Sequence, residues 1–195
     1  MNFLAHLHLA DCCQSDMAGN LLADFVRGDP YKQHVKSVAD GIKLHRFVDG
    51  YIDAMPEVKA CRYLFSDNTR RVSGIALDIV WDHFLAVHWQ DFHPYSLEHF
   101  VQYAENTVRQ YQSNLPERYV LMSAHMWQQQ WLIQYREKPS IERVLMRMAA
   151  RRPKLHQLAL CSEQIDDNYD ELERVFHIVY PQVITATKQH RLTQR

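Results

Sequence analysis

From Ile75 to its last residue the chain contains no glycine. All five glycines (Gly19, Gly28, Gly41, Gly50 and Gly74) fall in the first 74 of 195 residues. Seven prolines, at positions 30, 56, 94, 116, 139, 153 and 181, follow one another at roughly one helix length. Such punctuation marks helix boundaries, and sustained alternation of strand type is absent. The pattern predicts an all-α chain, a helical bundle. With no internal repeat, low-complexity tract or linker, it predicts one domain over residues 1–195.

Predicted helices run over residues 3–10, 16–26, 31–52 with a bend at Gly41, 57–65, 72–89, 97–112, 118–135, 141–150, 153–161 and 167–180. A tail follows Pro181. The central element is 72–89. There Asp78 and Asp82 stand four residues apart on one face with Ile75, Leu85 and Trp89. Two carboxylates in an apolar stripe repel each other and lose hydration, so they require a counter-charge. A divalent cation meets that need, and His83 adjoins Asp82 as a further ligand candidate.

The same pattern recurs upstream. His6 lies between Phe3 and Leu9, Asp24 shares a face with Met17 and Leu21, and His45 and Asp49 form an i, i+4 pair flanked by Ile42 and Ile52. One histidine on an apolar face is ordinarily a satisfied core residue. Four helices each presenting Asp or His inward are harder to satisfy, because each buried group without a partner costs several kcal/mol. Mixed Asp and His ligation suits a divalent ion such as Mn²⁺, Fe²⁺ or Zn²⁺. The four cysteines lack the spacing of a structural zinc site. An ion so held, with an open position for water, favours hydrolysis of a phosphate ester.

Arginines adjoin this set. Arg46 follows His45 and has the geometry to grip a phosphate oxygen, or to pair with Asp49, Asp53 or Glu57. Arg70 and Arg71 precede the central helix at the end its dipole disfavours for cations, which points to a phosphate contact or an acidic partner. His8 lies about 160° from His6 around its helix and is excluded from the same ion. His34, His99, His156 and His190 read as surface, and His88, His93, His125 and His177 as core edges. Trp127 and Trp131, at i, i+4, read as core or as the lining of a pocket for a flexible substrate arm.

Arg143, Arg147 and Arg151 form a stripe at i, i+4 and i+8, with Arg152 and Lys154 next. Like charges at this spacing repel by a few tenths of a kcal/mol per pair. The stripe is either a solvated face or a docking strip for an acidic macromolecule. The formal net charge of −1 argues against a dedicated nucleic-acid binder. No apolar run approaches the ~20 residues of a membrane span. Cysteine usage and the absence of a signal-type leader fit reduced thiols in the cytoplasm.

Five stretches together resemble the acyl carrier protein phosphodiesterase family. They are Met1-Asn-Phe-Leu-Ala-His-Leu-His-Leu-Ala10, Gly19-Asn-Leu-Leu-Ala-Asp-Phe-Val-Arg-Gly28, Gly41-Ile-Lys-Leu-His-Arg46 with Asp49, Leu77-Asp-Ile-Val-Trp-Asp-His-Phe-Leu85 and Ala150-Arg-Arg-Pro153. The resemblance implies an all-helical fold related to the HD-type metal-dependent phosphohydrolases, with Mn²⁺ as cofactor. It implies hydrolysis of the phosphodiester between 4′-phosphopantetheine and a serine of holo-acyl carrier protein. Carried over by position, the metal ligands are His6, Asp24, His45, Asp49, Asp78 and Asp82. Arg46 or Arg70 would offset phosphoryl charge, and the leaving serine alkoxide would be stabilised by the metal or protonated by His83. The order Asp82-His83 reverses the His-Asp doublet of HD enzymes and leaves open which of the two ligates. Acyl carrier protein is small and acidic, which gives Arg143, Arg147 and Arg151 a partner. Two rival readings keep less of this: the same metal site acting on a nucleotide or other small phosphodiester, and a non-catalytic helical module whose Asp and His residues pair internally.

Overall fold

Proline and glycine organise the helices in two different ways. Pro56, Pro139 and Pro153 each sit in the first turn of a helical segment. The missing N–H is harmless there and the fixed φ is already helical. Gly19 and Gly41 instead mark a point where two helices meet backbone to backbone. A Cβ on Gly19 would lie 2.3 Å from the Val38 carbonyl oxygen, and one on Gly41 would lie 2.6 Å from that of Asp16.

The computed structural model describes residues 1–193. Gln194 and Arg195, the end of the expected 1–195 domain, lie outside the described residues. The helices are α1 (Phe3–Cys12), α2 (Met17–Leu22), α3 (Lys36–Ala54), α4 (Pro56–Cys61), α5 (Asp67–Arg70), α6 (Ser73–Val87) and α7 (Trp89–Phe92). They continue as α8 (Leu97–Val108), α9 (Glu117–Gln128), α10 (Trp131–Gln134), α11 (Pro139–Arg151), α12 (Cys161–Asp167) and α13 (Tyr169–Thr193). Among the described residues there is no strand, so the all-α reading holds. No described helix is long and apolar enough to cross a membrane. All four cysteines are free.

The buried side chains form one continuous core. The central helix α6 has eleven buried residues, from Ser73 to Ala86, of which Ser73, Asp82 and His83 are polar. Around α6 pack α1, α11 and α13, while α2 lies along α3.

Several predicted boundaries are corrected. The 31–52 helix begins at Lys36, after a short 3₁₀ turn over Pro30–Lys32, and α3 then runs unbroken past Gly41. That glycine serves close packing rather than a bend. The 118–135 helix is two helices, broken where Gln130 adopts φ 52°. Trp127 and Trp131 therefore do not share one helix. Pro181 does not end a helix: it lies inside the 25-residue α13, which continues to Thr193. A mid-helix proline costs about 3 kcal/mol. Here Pro181 is exposed, while Phe176, Val179, Tyr180, Val183 and Thr187 are buried in one stripe across it. Burial on both sides offsets the lost hydrogen bond.

Because the atoms facing Gly41 belong to backbone, Gly41→Ala should destabilise the protein by about 2 kcal/mol. Gly50→Ala, in the same helix with nothing near its added Cβ, should instead stabilise by roughly 0.5–1 kcal/mol. Urea denaturation of both variants measures this; equal midpoints would show that the α2–α3 crossing is not close-packed.

Candidate metal centre

Helix α1 starts without a capping side chain of its own. Its first N–H groups are met from across the core: Leu4 donates to Asp82 Oδ2 at 2.7 Å and Ala5 to Asp82 Oδ1 at 3.1 Å. A carboxylate at a helix N-terminus gains from both the orphan donors and the dipole. Burial still pushes Asp82 up to about 7, against the pull of those two donors. The Asn2 amide donates to the Tyr135 hydroxyl at 2.6 Å, tying the same end to α10. One turn along α1, His6 is aimed at α3.

On α3, His45 and Asp49 are one turn apart, and Asp49 is the hub. Its Oδ1 lies 3.1 Å from His6 Nε2 and its Oδ2 lies 3.1 Å from His45 Nε2. Asp24 Oδ1 reaches His45 Nε2 at 3.5 Å. The imidazoles stack with centroids 3.6 Å apart. Although 3.1 Å suits a hydrogen bond, the carboxylate oxygens lie out of line with the ring N–H directions. All four ring nitrogens of His6 and His45 are buried without a hydrogen-bond partner among the described residues. His6, His45 and Asp49 thus offer three ligand atoms within 4.8 Å of one another, an arrangement that could hold a metal ion.

The remaining acidic residues border this group. Asp24 sits in the 3₁₀ turn Ala23–Phe25 after α2, and its side chain is 62% exposed, so one side of the cluster faces solvent. Asp78 Oδ1 accepts from the Met1 ammonium at 2.8 Å, and that ammonium also lies 3.4 Å from Asp49 Oδ1. Burial opposes the charge of the ammonium, yet Asp78 and Asp49 hold it up at about 11. Burial pushes Asp78 up. Burial likewise lowers His6 to about 4, with His45 adding to the effect. For His45 burial is outweighed by Asp24 and Asp49, which raise it to about 9. Asp49 is held well below the usual carboxylate range by His45 and His6 despite its burial. The neighbouring His45 lowers Asp24 against the opposing effect of burial.

The other predicted functional residues stand elsewhere. His83 faces the other side: Nδ1 donates to the Tyr135 carbonyl at 2.6 Å and Nε2 accepts from the Tyr169 hydroxyl at 2.7 Å. Asp82 and His83, adjacent in sequence, therefore serve different neighbours. Arg46 donates to the carbonyls of Gly28 at 2.8 Å and Val26 at 2.6 Å, bracing the loop after Asp24. Of its expected acidic partners, Asp53 pairs with Arg62 instead. Arg70 pairs with Asp67 at 2.6 Å and donates to the Phe65 carbonyl. Arg143, Arg147 and Arg151 are exposed on α11, with no ion-pair partner among the described residues. His8 is a buried core histidine, held by the Tyr180 hydroxyl and the Phe92 carbonyl. Sequence reasoning did not single out Asn2 or Tyr135; the signal available was Asn2 at the position before a helix.

These roles separate in metal-free protein. Asp82→Ala leaves two buried N–H groups unmet and should cost about 3 kcal/mol. Asp24→Ala removes an exposed side chain and should cost under about 0.5 kcal/mol. Chemical denaturation in chelator distinguishes them, and comparable losses would contradict the assignment of Asp82 as the cap of α1.

Comparison with known proteins places the chain in a family. A family model described as acyl carrier protein phosphodiesterase matches residues 1–183. A protein named acyl carrier protein phosphodiesterase from Serratia proteamaculans (strain 568) is 45% identical over 193 residues, 98% of this chain and 100% of the relative. Proteins of the same name from Klebsiella pneumoniae subsp. pneumoniae, at 44%, and Escherichia coli (strain K12 / DH10B), at 42%, match over the same extents. No solved structure matches. On the family match and on this near-full-length identity, the chain belongs to the acyl carrier protein phosphodiesterase family.

Proposed function

We propose that this chain hydrolyses the phosphodiester joining 4′-phosphopantetheine to a serine of acyl carrier protein, releasing the apo-carrier protein and the free prosthetic group. The observation that carries the reading is the pair of buried, unpartnered Nε2 atoms of His6 and His45 converging on Asp49. Such orphaned donors fit a divalent ion, Mn²⁺ in this reading, with Asp24 completing the set on the solvent side. Asp78 and Asp82 stand on one face of α6 behind it, and Asp82 keeps the lone pairs that Leu4 and Ala5 do not use. When bound, the ion would supply a Lewis acid that lowers the pKa of water and offsets charge on the phosphoryl group.

The chain's own residues do the rest. Asp49 orients both imidazoles by facing each Nε2 with a separate oxygen. Arg46 keeps N–H donors beyond those used by Val26 and Gly28, and these suit a phosphoryl oxygen beside Asp24. The solvent-facing side at Asp24 admits the diester, and attack of water on phosphorus breaks the bond to the serine oxygen. In this reading His83 and Arg70 hold their surroundings in place, since both ring nitrogens of His83 meet Tyr135 and Tyr169 and the two terminal nitrogens of Arg70 meet Asp67 and Phe65.

Docking of an acidic protein falls to α11. This helix packs on α6 and turns Arg143, Arg147 and Arg151 outward. Complementary charge raises the encounter rate and selects the partner, and salt screens it over about 10 Å at 0.1 M.

Mass spectrometry of holo-acyl carrier protein incubated with the protein and Mn²⁺ should show loss of the prosthetic arm. Asp49→Asn should reduce the rate at least about 100-fold, roughly 3 kcal/mol. Retention of the arm by wild type under all divalent ions would remove the proposal. Separately, the triple variant Arg143→Glu/Arg147→Glu/Arg151→Glu should raise KM about tenfold or more with kcat nearly kept, a loss of ~1.4 kcal/mol in docking. Wild-type KM should climb with ionic strength. A salt-independent KM would favour a small phosphodiester as substrate.

A further inference from the structure

The C-terminal end of α6 carries a second group of metal-type donors, built from residues outside the cluster around Asp49. His88 caps α6, its N–H bonded to the Phe84 carbonyl at 2.9 Å. On α13, Glu173 and His177 are four residues apart and so share a face. His88 Nε2 lies 2.7 Å from Glu173 Oε1, and the rings of His88 and His177 lie 4.5 Å apart at 65°. One donor atom from each of the three comes within 4.8 Å of the others. On the far side of the His88 ring, Asp91 Oδ2 stands 3.9 Å from Nδ1.

A simple ion pair explains only part of this. His88 and Glu173 satisfy each other through one nitrogen and one oxygen, which leaves His177 unaccounted for. Two imidazoles and one carboxylate, with remaining positions for water, form a donor set that suits zinc. A carboxylate hydrogen-bonded to the second nitrogen is the usual support for a ligating imidazole, and Asp91, at 3.9 Å from His88 Nδ1, would have to move closer to supply it. Zinc holds nitrogen and oxygen at about 2.0–2.2 Å, so the three donors need to draw together. His88 and Glu173 are only partly buried and His177 is exposed, which leaves their side chains room to do so.

We propose that His88, Glu173 and His177 form a distinct divalent-cation site of zinc type that clips the end of α6 to α13. It does not depend on the reading of the Asp49 cluster. Asp78 lies ten residues before His88, which at 1.5 Å per residue is about 15 Å along the helix. Three ligands from two helices join elements that are far apart in sequence, and an ion bound only to the folded chain raises the melting temperature. The site therefore acts as a clip on the segment that carries Pro181 and needs no part in hydrolysis.

The test uses the full chain, stripped with chelator and titrated with Zn²⁺ alone. Competition with a chromophoric chelator reads affinity, and circular dichroism reads the melting temperature. Asp49→Asn should retain one zinc equivalent together with a zinc-dependent rise in melting temperature. In that background His88→Ala, His177→Ala and Glu173→Gln should each weaken this equivalent by about 30-fold or more and abolish the rise. His177 is exposed and Glu173→Gln keeps the side-chain shape, so both variants fold. Loss of all zinc binding in Asp49→Asn alone, or unchanged binding in His177→Ala, overturns the proposal.

Discussion

Everything near the candidate centre depends on one carboxylate reaching across the core. Asp82 is fully buried and receives the first N–H groups of α1 on both oxygens. A helix start buried without such acceptors would leave donors unmet at about 1–3 kcal/mol each. Meeting them from α6 rather than from a local serine or aspartate couples the direction of α1 to the central helix. That coupling places His6 against His45, and the Gly19–Gly41 crossing sets the distance at which the Asp24 turn approaches α3. The geometry of the site is thus a consequence of backbone satisfaction and close packing, before any metal chemistry enters.

Charge is the second constraint. Asp24, Asp49 and Asp78 crowd one corner, and like charges about 4 Å apart repel by ~4 kcal/mol at an effective dielectric of 20. The corner is balanced by His45, raised to about 9, and by the Met1 ammonium, held at about 11. A proton on His45 Nε2 would lie close to both Asp24 and Asp49. A cation and that proton need the same nitrogen, so ligation requires deprotonation. The stacked imidazoles point the same way: His6, lowered to about 4, stays neutral beside a charged neighbour.

How much of this was legible in the sequence differs by residue. Periodicity and spacing placed His6 and His45 on inward faces with Asp49 one turn on, because side-chain direction follows helical pitch, but the inward face expected for Asp24 is instead a 3₁₀ turn that leaves its side chain 62% exposed. They also isolated Asp78 and Asp82 as a pair in an apolar stripe. What spacing could not show is whom each carboxylate meets. Asp78 and Asp82 share a face, yet one accepts from an ammonium and the other from backbone N–H groups. Those partners lie more than 70 residues away and have no local signature. Pro181 misled for a related reason. Its local penalty is readable, but the buried stripe that outweighs it is a tertiary fact. His88 and His177 read as core edges, since a histidine near aromatics looks the same whether or not Glu173 stands opposite.

The two halves of the molecule divide their work in a way that follows from packing. Residues up to Ala86 supply the carboxylate and imidazole cluster, where the glycine crossing and buried polar atoms leave little freedom. Helix α11 has its apolar edge, Ile141 and Leu145, on the core and its arginines in solvent. Its charges can change without disturbing the carboxylate and imidazole geometry, since no ion pair among the described residues connects them. In the proposed function, chemistry and recognition are therefore independent variables. On that reading substitutions on α11 act through encounter and salt, while substitutions around Asp49 act on the reacting centre. In the proposed reading, a partner held by Arg143, Arg147 and Arg151 is separated by α11 from α6, the helix that carries Asp78 and Asp82 and on which α11 packs. A flexible substrate arm would then connect a docking surface to a site the docking surface does not touch.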